Sequence, residues 1–410
     1  MNQALRKDAD AIISASIAAV LPDQAVKRAL EGRNFPGRVV LVATGKAAWQ
    51  MSKAACDVLG DKLTSGVCVT KYGHVMGQLP QVTCYEAGHP VPDEGSFRGT
   101  QAALDAVSGL NEKDTVLFLL SGGGSALFEK PLIPGEELQD ITSQLLASGA
   151  DITEMNTIRK RLSAVKGGRF ALACGRAHVL SVVLSDILGD PLDMIASGPA
   201  CPDSTTCAQA QAIAEKYRLK LSDQAKTCLA QETPKALSNV ETEINGSVRE
   251  LCAAAARAAE NLGYKSVILT DQLCCQAKEA GSFLSSIAKT HVGDGEKLAF
   301  IAGGETVVQL VGKGLGGRNQ ELALAAAPGI SGMDNVCVFS VGSDGTDGPT
   351  DATGGYVDGD TERELLETGR TVFAVLSDND AYHALKATNG LIITGPTGTN
   401  VNDVAVVLIG

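Results

Sequence analysis

The sequence has few aromatic residues, no long apolar run and no paired cysteines. Aromatics make up 4% of the 410 residues, and no run of about 18 apolar residues occurs, so we expect no membrane-spanning helix. The eleven cysteines are odd in number and include no C-x-x-C pair, which argues against a disulfide framework. Charges interrupt the apolar positions of residues 1–23, which is typical of a surface helix and not of a signal peptide. We therefore expect a reduced, cytoplasmic protein.

Positive charge is also scarce. The chain has 35 Lys and Arg residues against 47 Asp and Glu, a net charge of -12, which argues against binding to nucleic acid or an anionic membrane. A small anionic substrate would need a local basic pocket instead. The segment 155–171, MNTIRKRLSAVKGGRFA, is one candidate, because helical spacing would place Arg159, Lys166 and Arg169 on one face. That face is either a binding surface or an ordinary solvated one.

Short apolar runs alternate with helical patterns along most of the chain. Continuous runs of β-branched and other apolar residues, without strict alternation, favour strands that are covered on both faces, and hence a parallel sheet flanked by helices. In the first half these strands are predicted at 38–43, 66–70, 82–87, 115–120 and 179–186.

The pattern loosens after about residue 206, and we interpret the polar segment 230–247, which contains Pro234, as a domain junction. A second α/β pattern follows, with predicted strands at 266–270, 297–305, 306–312, 335–342, 391–395 and 404–410. The near-adjacent strands 297–305 and 306–312 favour an antiparallel pair, and therefore a mixed second sheet. The sequence thus predicts two dissimilar α/β domains, residues 1–235 and 236–410.

Several predicted strands end in glycine-rich turns, which is where ligands gather in open α/β sheets. After the first strand, Thr44 and Gly45 form a turn and Lys46 begins a helix, where backbone amides and an ammonium group suit an anion. After the fourth strand, three consecutive glycines would let backbone amides approach a phosphate without an intervening Cβ. This second turn comprises Ser121, Gly122, Gly123, Gly124 and Ser125. The alternatives are a solvated lysine in the first turn of a helix at Lys46, and a tight turn without a ligand at residues 121–125.

Carboxylates follow directly upon two other strands. Asp186 and Asp190 flank a short turn after the strand 179–186, and such a pair suits Mg²⁺ or the acceptance of a hydroxyl proton. Asp344 follows the strand 335–342 in a glycine-rich loop that also contains Asp347 and Asp351. We interpret these aspartates as ligands for metal or substrate, with the glycines giving access, although ordinary Asp-Gly turns have the same composition.

Gly312, Gly314 and Gly317 have the G-x-G-x-x-G spacing of dinucleotide-binding folds, which alone would favour a nicotinamide-dependent reductase. The predicted hairpin before them is not the first strand of a βαβ unit, so this match is weak. Arg318 begins the next helix, where a guanidinium would bind a transferring phosphoryl group. Near the C-terminus, the neutral polar groups of Thr399, Asn400 and Asn402 lie between two predicted strands, where they either orient a substrate hydroxyl or carboxylate or form a plain hairpin loop. Amides, cations and carboxylates together are what phosphoryl transfer requires.

These motifs resemble those of the type II glycerate kinases, the glycerate 2-kinase family whose C-terminal part is called the MOFRL domain. The resemblance covers nearly the whole chain, through ATGKAA, LSGGGSAL, MNTIRKRLSAVKGGRFA, SDILGDPLDMIASGP, GLGGRNQELAL, VGSDGTDGPTDATGG and TGTNVNDV. It implies a Rossmann-like first domain, a dissimilar second α/β domain and an active site in the cleft between them. It also implies phosphorylation of D-glycerate at its 2-hydroxyl, with ATP and a divalent metal ion.

By motif, the resemblance places the family's important lysine at Lys46, its arginine at Arg318 and its C-terminal asparagine at Asn400. We expect Lys46 and Arg318 to act in catalysis and in substrate binding, through the ATP phosphates and the transferring group. We expect Asn400 to orient the substrate.

The loop 121–125 and Asp190 are expected to contact the nucleotide, and Asp186 and Asp344 to hold Mg²⁺, with a catalytic role for Asp186 as well. Because members of this family have often been labelled hydroxypyruvate reductases, a nicotinamide-dependent reductase is one alternative hypothesis. A non-catalytic protein that binds a phosphorylated metabolite is the other.

Overall fold

In a computed structural model, which describes residues 1–410, the chain forms two compact α/β units. The C-terminal unit comprises residues 1–21, 186–189 and 246–410, and the N-terminal unit comprises residues 22–185 and 190–245. The first helix, α1 (Gln3–Ala19), therefore belongs to the C-terminal unit. No single helix is both long and apolar enough to cross a membrane; only the pair of α1 and the next helix (Pro22–Leu30), which meet at a bend of 56°, passes the test of length and composition.

The N-terminal unit is built on one sheet of six strands. These are β1 (Val39–Thr44), β2 (Leu63–Lys71), β3 (Val82–Ala87), β4 (Thr115–Leu120), β5 (His178–Leu184) and β6 (Val240–Gly246). They lie in the order β3-β2-β1-β4-β5-β6, and the pairings from β3 to β5 are all parallel. This is the strand order of Rossmann folds. Successive strands are added on one side of β1 up to β3 and on its other side from β4 onward, so the strand order reverses between β1 and β4.

Helices cover both faces of this sheet. The helices of this unit are α2 (Pro22–Leu30), α3 (Ala48–Leu59), α4 (Glu94–Ala106), α5 (Gly124–Leu127), α6 (Gly135–Ala147), α7 (Ile152–Arg161), α8 (Arg169–Ala173), α9 (Cys207–Lys216) and α10 (Asp223–Leu229), with short 3-10 turns at Gly60–Lys62 and Ile195–Ser197. Of these, α6, α7, α9 and α10 pack with one another in a separate core. Alternate residues of β1 contribute to two separate cores, Leu41 to the one with α2 and α3 and Val42 to the one with α4 and α8. Burial on both faces explains why the five predicted strands of this sheet are confirmed.

The C-terminal unit contains a mixed sheet, as expected. Its strands are β7 (Lys265–Leu273), β8 (Leu298–Gly304), β9 (Val336–Gly342), β10 (Gly354–Asp358), β11 (Leu391–Ile392) and β12 (Asp403–Ile409), in the order β11-β10-β9-β12-β8-β7. Only β7 and β8 pair in parallel; the other pairings are antiparallel. The remaining helices are α11 (Val248–Asn261), α12 (Ala277–His291), α13 (Arg318–Ile330), α14 (Thr361–Glu367), α15 (Val372–Ser377) and α16 (Ala381–Ala387).

Two strand predictions for this unit need correction. Residues 306–312 do not form a strand, and the antiparallel neighbour of β8 is β12. The apolar residues of that segment misled the prediction, because Leu310 and Val311 are exposed in a loop. The two strands missed by the sequence analysis are β6, a polar strand at the end of its sheet, and β10, which begins with two glycines.

The predicted domain boundary at 235/236 differs from the division into units in three respects, one of which is that residues 186–189 belong to the C-terminal unit. The chain enters the C-terminal unit at residue 246, after β6, and α1 belongs to that unit as well. The apolar side of α1 packs with α11 and with β9 in one core, through residues such as Leu5, Ile12 and Leu251. An amphipathic helix shows in its sequence that it needs a partner, but not which partner it has.

The packing of α1 predicts a local loss of stability when a buried side chain of this helix is shortened. Ile12 is fully buried in the core shared with α11, so Ile12→Ala should lower the free energy of unfolding of the C-terminal unit by about 2–5 kcal/mol. Hydrogen–deuterium exchange should become faster in α1 and α11 and stay unchanged in β1 to β5. The exposed Ser14→Ala on the same helix is the matched control. Equal loss of protection in the N-terminal unit would contradict this assignment of α1.

Candidate active site

In the N-terminal unit, the loops after β1 and β4 meet where the strand order reverses. Thr44 and Leu120 are paired in parallel register, so the residues that follow them emerge at the same edge of the sheet. The backbone N–H of Lys46 donates to the carbonyl of Gly122 at 2.9 Å, and that of Ala47 donates to the Ser121 hydroxyl at 3.1 Å. The structure thus brings the lysine turn and the glycine loop 121–125 together, at the place where such sheets bind ligands.

Close approach at this edge explains two of its glycines. Gly45 has φ +120°, and a Cβ on it would overlap the Ser121 side chain. Gly123 has φ +87°, and a Cβ there would lie 3.0 Å from the His89 ring and 3.3 Å from Cγ of Lys46. The stem of Lys46, Gly123 and His89 therefore adjoin one another.

His89 was not identified from the sequence, since nothing in it marks a histidine after β3 as part of this edge. Burial lowers the pKa of His89, and the charges of Lys46 and Lys71 lower it further. The imidazole is therefore neutral at pH 7. The ammonium of Lys46 has no hydrogen-bond or ion-pair partner in the structure, so it is available to an anion.

The basic segment 155–171 does not present one cationic face. The helix α7 ends at Arg161, so helical spacing does not extend to Lys166 and Arg169. Lys166 is buried; it pairs with Glu129 at 3.2 Å and donates to two backbone carbonyls after β4, at 2.8 and 3.0 Å. Arg169 donates to backbone carbonyls of the preceding turn, at 2.6 Å and 3.1 Å. Only Arg159 among the three predicted side chains makes no hydrogen bond or ion pair.

The two aspartates around the turn after β5 fall in different units. Asp186 belongs to the C-terminal unit and Asp190 to the N-terminal unit. Asp190 has φ +50°, and its Oδ1 is buried without a hydrogen-bond partner. Ala196 and Ser197 also have positive φ angles, of 50° and 62°. Several non-glycine residues in this left-handed region are strained, and such strain is concentrated at functional sites in proteins.

A cavity of about 900 Å³ lies within the C-terminal unit. Its walls include the glycine loop 312–317, Glu305, Arg318, Asp344 and Asn379. Exposed apolar residues of the 306–311 loop, including Val307 and Leu310, form another part of the wall. Both the volume and the mixture of apolar walls with a few polar groups are typical of small-molecule sites.

Arg318 is held at the edge of this cavity by two carboxylates. Its Nε donates to Asp403 at 2.6 Å and its Nη2 to the other oxygen of Asp403 at 3.0 Å, a bidentate pair, while Nη1 contacts Glu305 at 3.1 Å. Burial opposes the charged form, but the hydrogen bonds to Asp403 raise the pKa of Arg318 above its ordinary value. Asp403 is buried, whereas Glu305 is largely exposed, so an anionic ligand could replace Glu305 at Nη1. Neither acid was singled out from the sequence.

The three aspartates of the loop 341–355 have different roles. Asp347 is buried at the start of α13, where it accepts the backbone N–H groups of Asn319 and Gln320 at 3.1 and 2.9 Å. Burial raises the pKa of Asp347 to about 6 even though these donors oppose the shift. Asp351 accepts the hydroxyl of Tyr382 at 2.8 Å. Both acids therefore have partners within the protein, and the ligand role expected for them stays a prediction.

Of the aspartates in this loop, Asp344 and Asp347 both line the cavity, and the one with fewer hydrogen bonds is Asp344. Its Oδ1 accepts the N–H of Thr346 at 2.9 Å, and no partner is present at its other oxygen. No group of three or more His, Cys, Asp or Glu side chains is arranged to hold a metal ion. One or two carboxylates are enough for Mg²⁺ when water and substrate phosphates complete its coordination. The carboxylate of Asp344 is therefore a suitable ligand for this ion.

The glycines with G-x-G-x-x-G spacing pack against other loops of the protein. A Cβ on Gly312 or Gly314 would overlap the segment 378–380, and one on Gly317 would overlap Asp347. The amides of residues 311 and 312 donate to the Asn379 side chain, both at 2.8 Å. These glycines therefore permit loop-to-loop packing, and the strand that a dinucleotide fingerprint requires before them is absent.

Asn400 is exposed and does not line the cavity of the C-terminal unit. Its Oδ1 accepts the N–H of Asn402 at 3.3 Å, and the neighbouring Thr399 donates to the carbonyl of Val20 at 2.8 Å. The residue of this segment that reaches Arg318 is Asp403. The substrate-binding role expected for Asn400 stays a prediction.

The chain is similar to known proteins over its whole length. Residues 8–230 match a domain of unknown function, DUF4147, and residues 298–403 match the MOFRL family. A protein of Thermotoga maritima named D-glycerate 2-kinase is 53% identical, with 99% of each chain covered. A glycerate 2-kinase of Pyrococcus horikoshii is 42% identical, with 93% of this chain and 90% of the relative covered. Two Agrobacterium vitis relatives, 39% and 40% identical, carry hydroxypyruvate reductase names.

The fold has a close counterpart among solved structures. The crystal structure of a glycerate kinase from Thermotoga maritima superposes with a TM-score of 0.94 at 52% identity, and all of both chains is covered. The two α/β domains expected from the sequence are thus also the architecture of that structure.

Proposed function

The chain belongs to the MOFRL family of glycerate 2-kinases, and from that premise we propose that it transfers the γ-phosphoryl group of ATP to the 2-hydroxyl of D-glycerate, giving 2-phosphoglycerate and ADP. The observation that best supports this proposal is the unpaired ammonium of Lys46, which lies beside the glycine loop 121–125 at the switch point of a Rossmann-type sheet. Backbone amides and a lysine without a partner suit phosphate oxygens.

We assign complementary roles to the residues that line the two sites. Lys46 and the loop 121–125 would bind phosphate oxygens of the nucleotide, and Asp190, which belongs to the same unit, would add a further nucleotide contact. Arg318 would bind the transferring group through Nη1, since Asp403 fixes the orientation of its guanidinium through the other two nitrogens.

Asp344 and Asp186 would hold Mg²⁺, which when bound neutralises charge on the phosphates. The orienting role of Asn400 is kept as part of this proposal.

The proposal predicts a metal-dependent kinase reaction. Purified protein incubated with ATP, Mg²⁺ and D-glycerate should release ADP in a coupled assay, and phosphorus NMR should place the new phosphate on the 2-position. Chelation with EDTA should abolish turnover, because the phosphate charge would no longer be neutralised.

The same experiment separates the two alternative functions. A reductase would oxidise NADH in the presence of hydroxypyruvate, and EDTA would have no effect. A metabolite-binding protein would be stabilised against heat by its ligand without any turnover. Either result, in place of ADP release, would contradict the proposed kinase activity.

A further inference from the structure

A second cavity, of about 520 Å³, lies within the N-terminal unit. It is bounded by the segment 89–92 after β3, by Gly123 and Ser125 of the glycine loop, and by residues of α6 and α7. Much of its wall is apolar, but Glu129 and Arg159 add one charge of each sign. Both charged groups have bonding capacity that the protein leaves unused.

Arg159 is a half-buried cation without a contact partner. Its guanidinium makes no hydrogen bond or ion pair, although the carboxylate of Glu129 attracts it through space. Its neighbours Lys160 and Arg161 are fully buried, and both form ion pairs with Asp203, at 3.1 and 3.6 Å. A guanidinium that is partly removed from water and lacks acceptors is energetically unfavourable, so an anionic ligand would stabilise it. Burial also lowers the pKa of Arg159.

Glu129 supplies a second, independent indication of a ligand. Its side chain is 2% exposed, and one oxygen pairs with Lys166 at 3.2 Å. The other oxygen, Oε1, is buried and has no hydrogen-bond donor. Buried carboxylate oxygens in native proteins are nearly always satisfied, and an ionised carboxylate only accepts hydrogen bonds. The group that completes this cavity must therefore bring a donor such as a hydroxyl.

From these two residues we infer that the cavity binds a small hydroxycarboxylate. Arg159 donates to the carboxylate of the ligand, and a hydroxyl of the ligand donates to Oε1 of Glu129. Gly123, which lines this cavity, adjoins the stem of Lys46, so the bound acid lies beside the lysine assigned to phosphate. The inference rests on the proposed function in taking D-glycerate as the ligand, and it makes Arg159 a substrate-binding residue.

The direct test is Arg159→Gln, which removes the charge and keeps a side chain of similar length. KM for D-glycerate should rise about 10- to 100-fold, the effect of losing hydrogen bonds to a charged group, while KM for ATP changes by less than about twofold. The control Arg176→Gln removes the same charge from an exposed position just before β5, at the opposite end of that strand from the glycine-loop edge. An unchanged KM for D-glycerate, or a rise in KM for ATP alone, would overturn the inference.

A second pair of variants addresses the same question without removing a half-buried residue. Ile152 is exposed, lines the cavity and lies two helical turns before Arg159 on α7, so Ile152→Glu should keep the fold and add a negative charge to the cavity wall about 10 Å from Arg159, where it repels a bound carboxylate. KM for D-glycerate should rise about tenfold in Ile152→Glu and stay unchanged in the neutral Ile152→Gln. Equal effects of the two substitutions would refute a carboxylate site.

Calorimetry without nucleotide separates this inference from the proposed function. D-glycerate should bind the wild-type protein, and Arg159→Gln should weaken that binding as strongly as it raises KM. If binding follows this pattern and no phosphorylation occurs, the cavity assignment stands and the kinase proposal fails. If phosphorylation occurs and neither Arg159→Gln nor Ile152→Glu affects D-glycerate, the kinase proposal stands and the cavity assignment fails.

Discussion

Replacing Arg318 with alanine should lower kcat/KM for D-glycerate phosphorylation by about 10³-fold or more, which is the range found for arginines that stabilise a transferring phosphoryl group. The loss should appear mainly in kcat, because the guanidinium is assigned to the charge that develops during transfer. Arg318→Lys should recover little activity, since an ammonium cannot keep the bidentate pair with Asp403 and also present a third nitrogen.

The control for this prediction comes from the other half of the ion pair. Removing Arg318 leaves the buried carboxylate of Asp403 unpaired, so some loss of thermal stability is expected as well. Asp403→Asn breaks the same pair but keeps the guanidinium, and it should retain considerably more activity than Arg318→Ala at a temperature where both are folded. Near-normal turnover of Arg318→Ala would remove the arginine from the mechanism.

Lys46→Met should lower kcat by about 10²- to 10³-fold, because it removes one preorganised positive group from the phosphate site and keeps the apolar stem. The stem itself matters, since its Cγ packs close to Gly123. Lys62→Met, on an exposed lysine of the same unit, should leave turnover unchanged. Full activity of Lys46→Met would show that the switch-point loop does not bind the transferring phosphate.

The same variant offers a readout that is independent of catalysis. The charge of Lys46 is one cause of the low pKa of His89, so removing that charge should raise the pKa of the histidine toward its ordinary value. The histidine resonances of the protein, followed by NMR between pH 4 and 8, would measure this shift. If the pKa of His89 rises but stays below its ordinary value, the burial that is the main cause of its lowering persists, so the fold around the loop is intact and the loss of kcat belongs to the lysine.

The lysine turn and the glycine loop could be predicted from the sequence because each follows a strand that is buried on both faces. Such strands appear as continuous apolar runs, and the residues after them emerge at one edge of a parallel sheet. Lys46 and the loop 121–125 follow β1 and β4, which are neighbours in that sheet. Their proximity therefore depends only on strand order, which local patterns and the usual topology of such sheets supply.

Side-chain partners could not be predicted in the same way. Whether Lys166 faces a ligand or Glu129 depends on where the chain bends after α7, and the pairing of Arg318 with Asp403 joins residues from distant parts of the chain. The strand β10 was missed for a different reason: its first residue, Gly354, lies so close to β9 that a Cβ would overlap a backbone oxygen. A glycine required for close strand pairing has the same appearance in a sequence as a glycine in a loop.

The position of α1 has a consequence for how the protein is made. This helix precedes the N-terminal unit in the chain, but the helix and strands that bury its apolar side are synthesised only after that unit. During translation the N-terminal unit can form its sheet first, and the apolar side of α1 stays exposed until its packing partners have been synthesised. The strand β12 follows the other strands of the second sheet in the chain and lies between β9 and β8, so that sheet is incomplete until β12 has been synthesised. Until then α1 is an apolar segment that chaperones of nascent chains could bind.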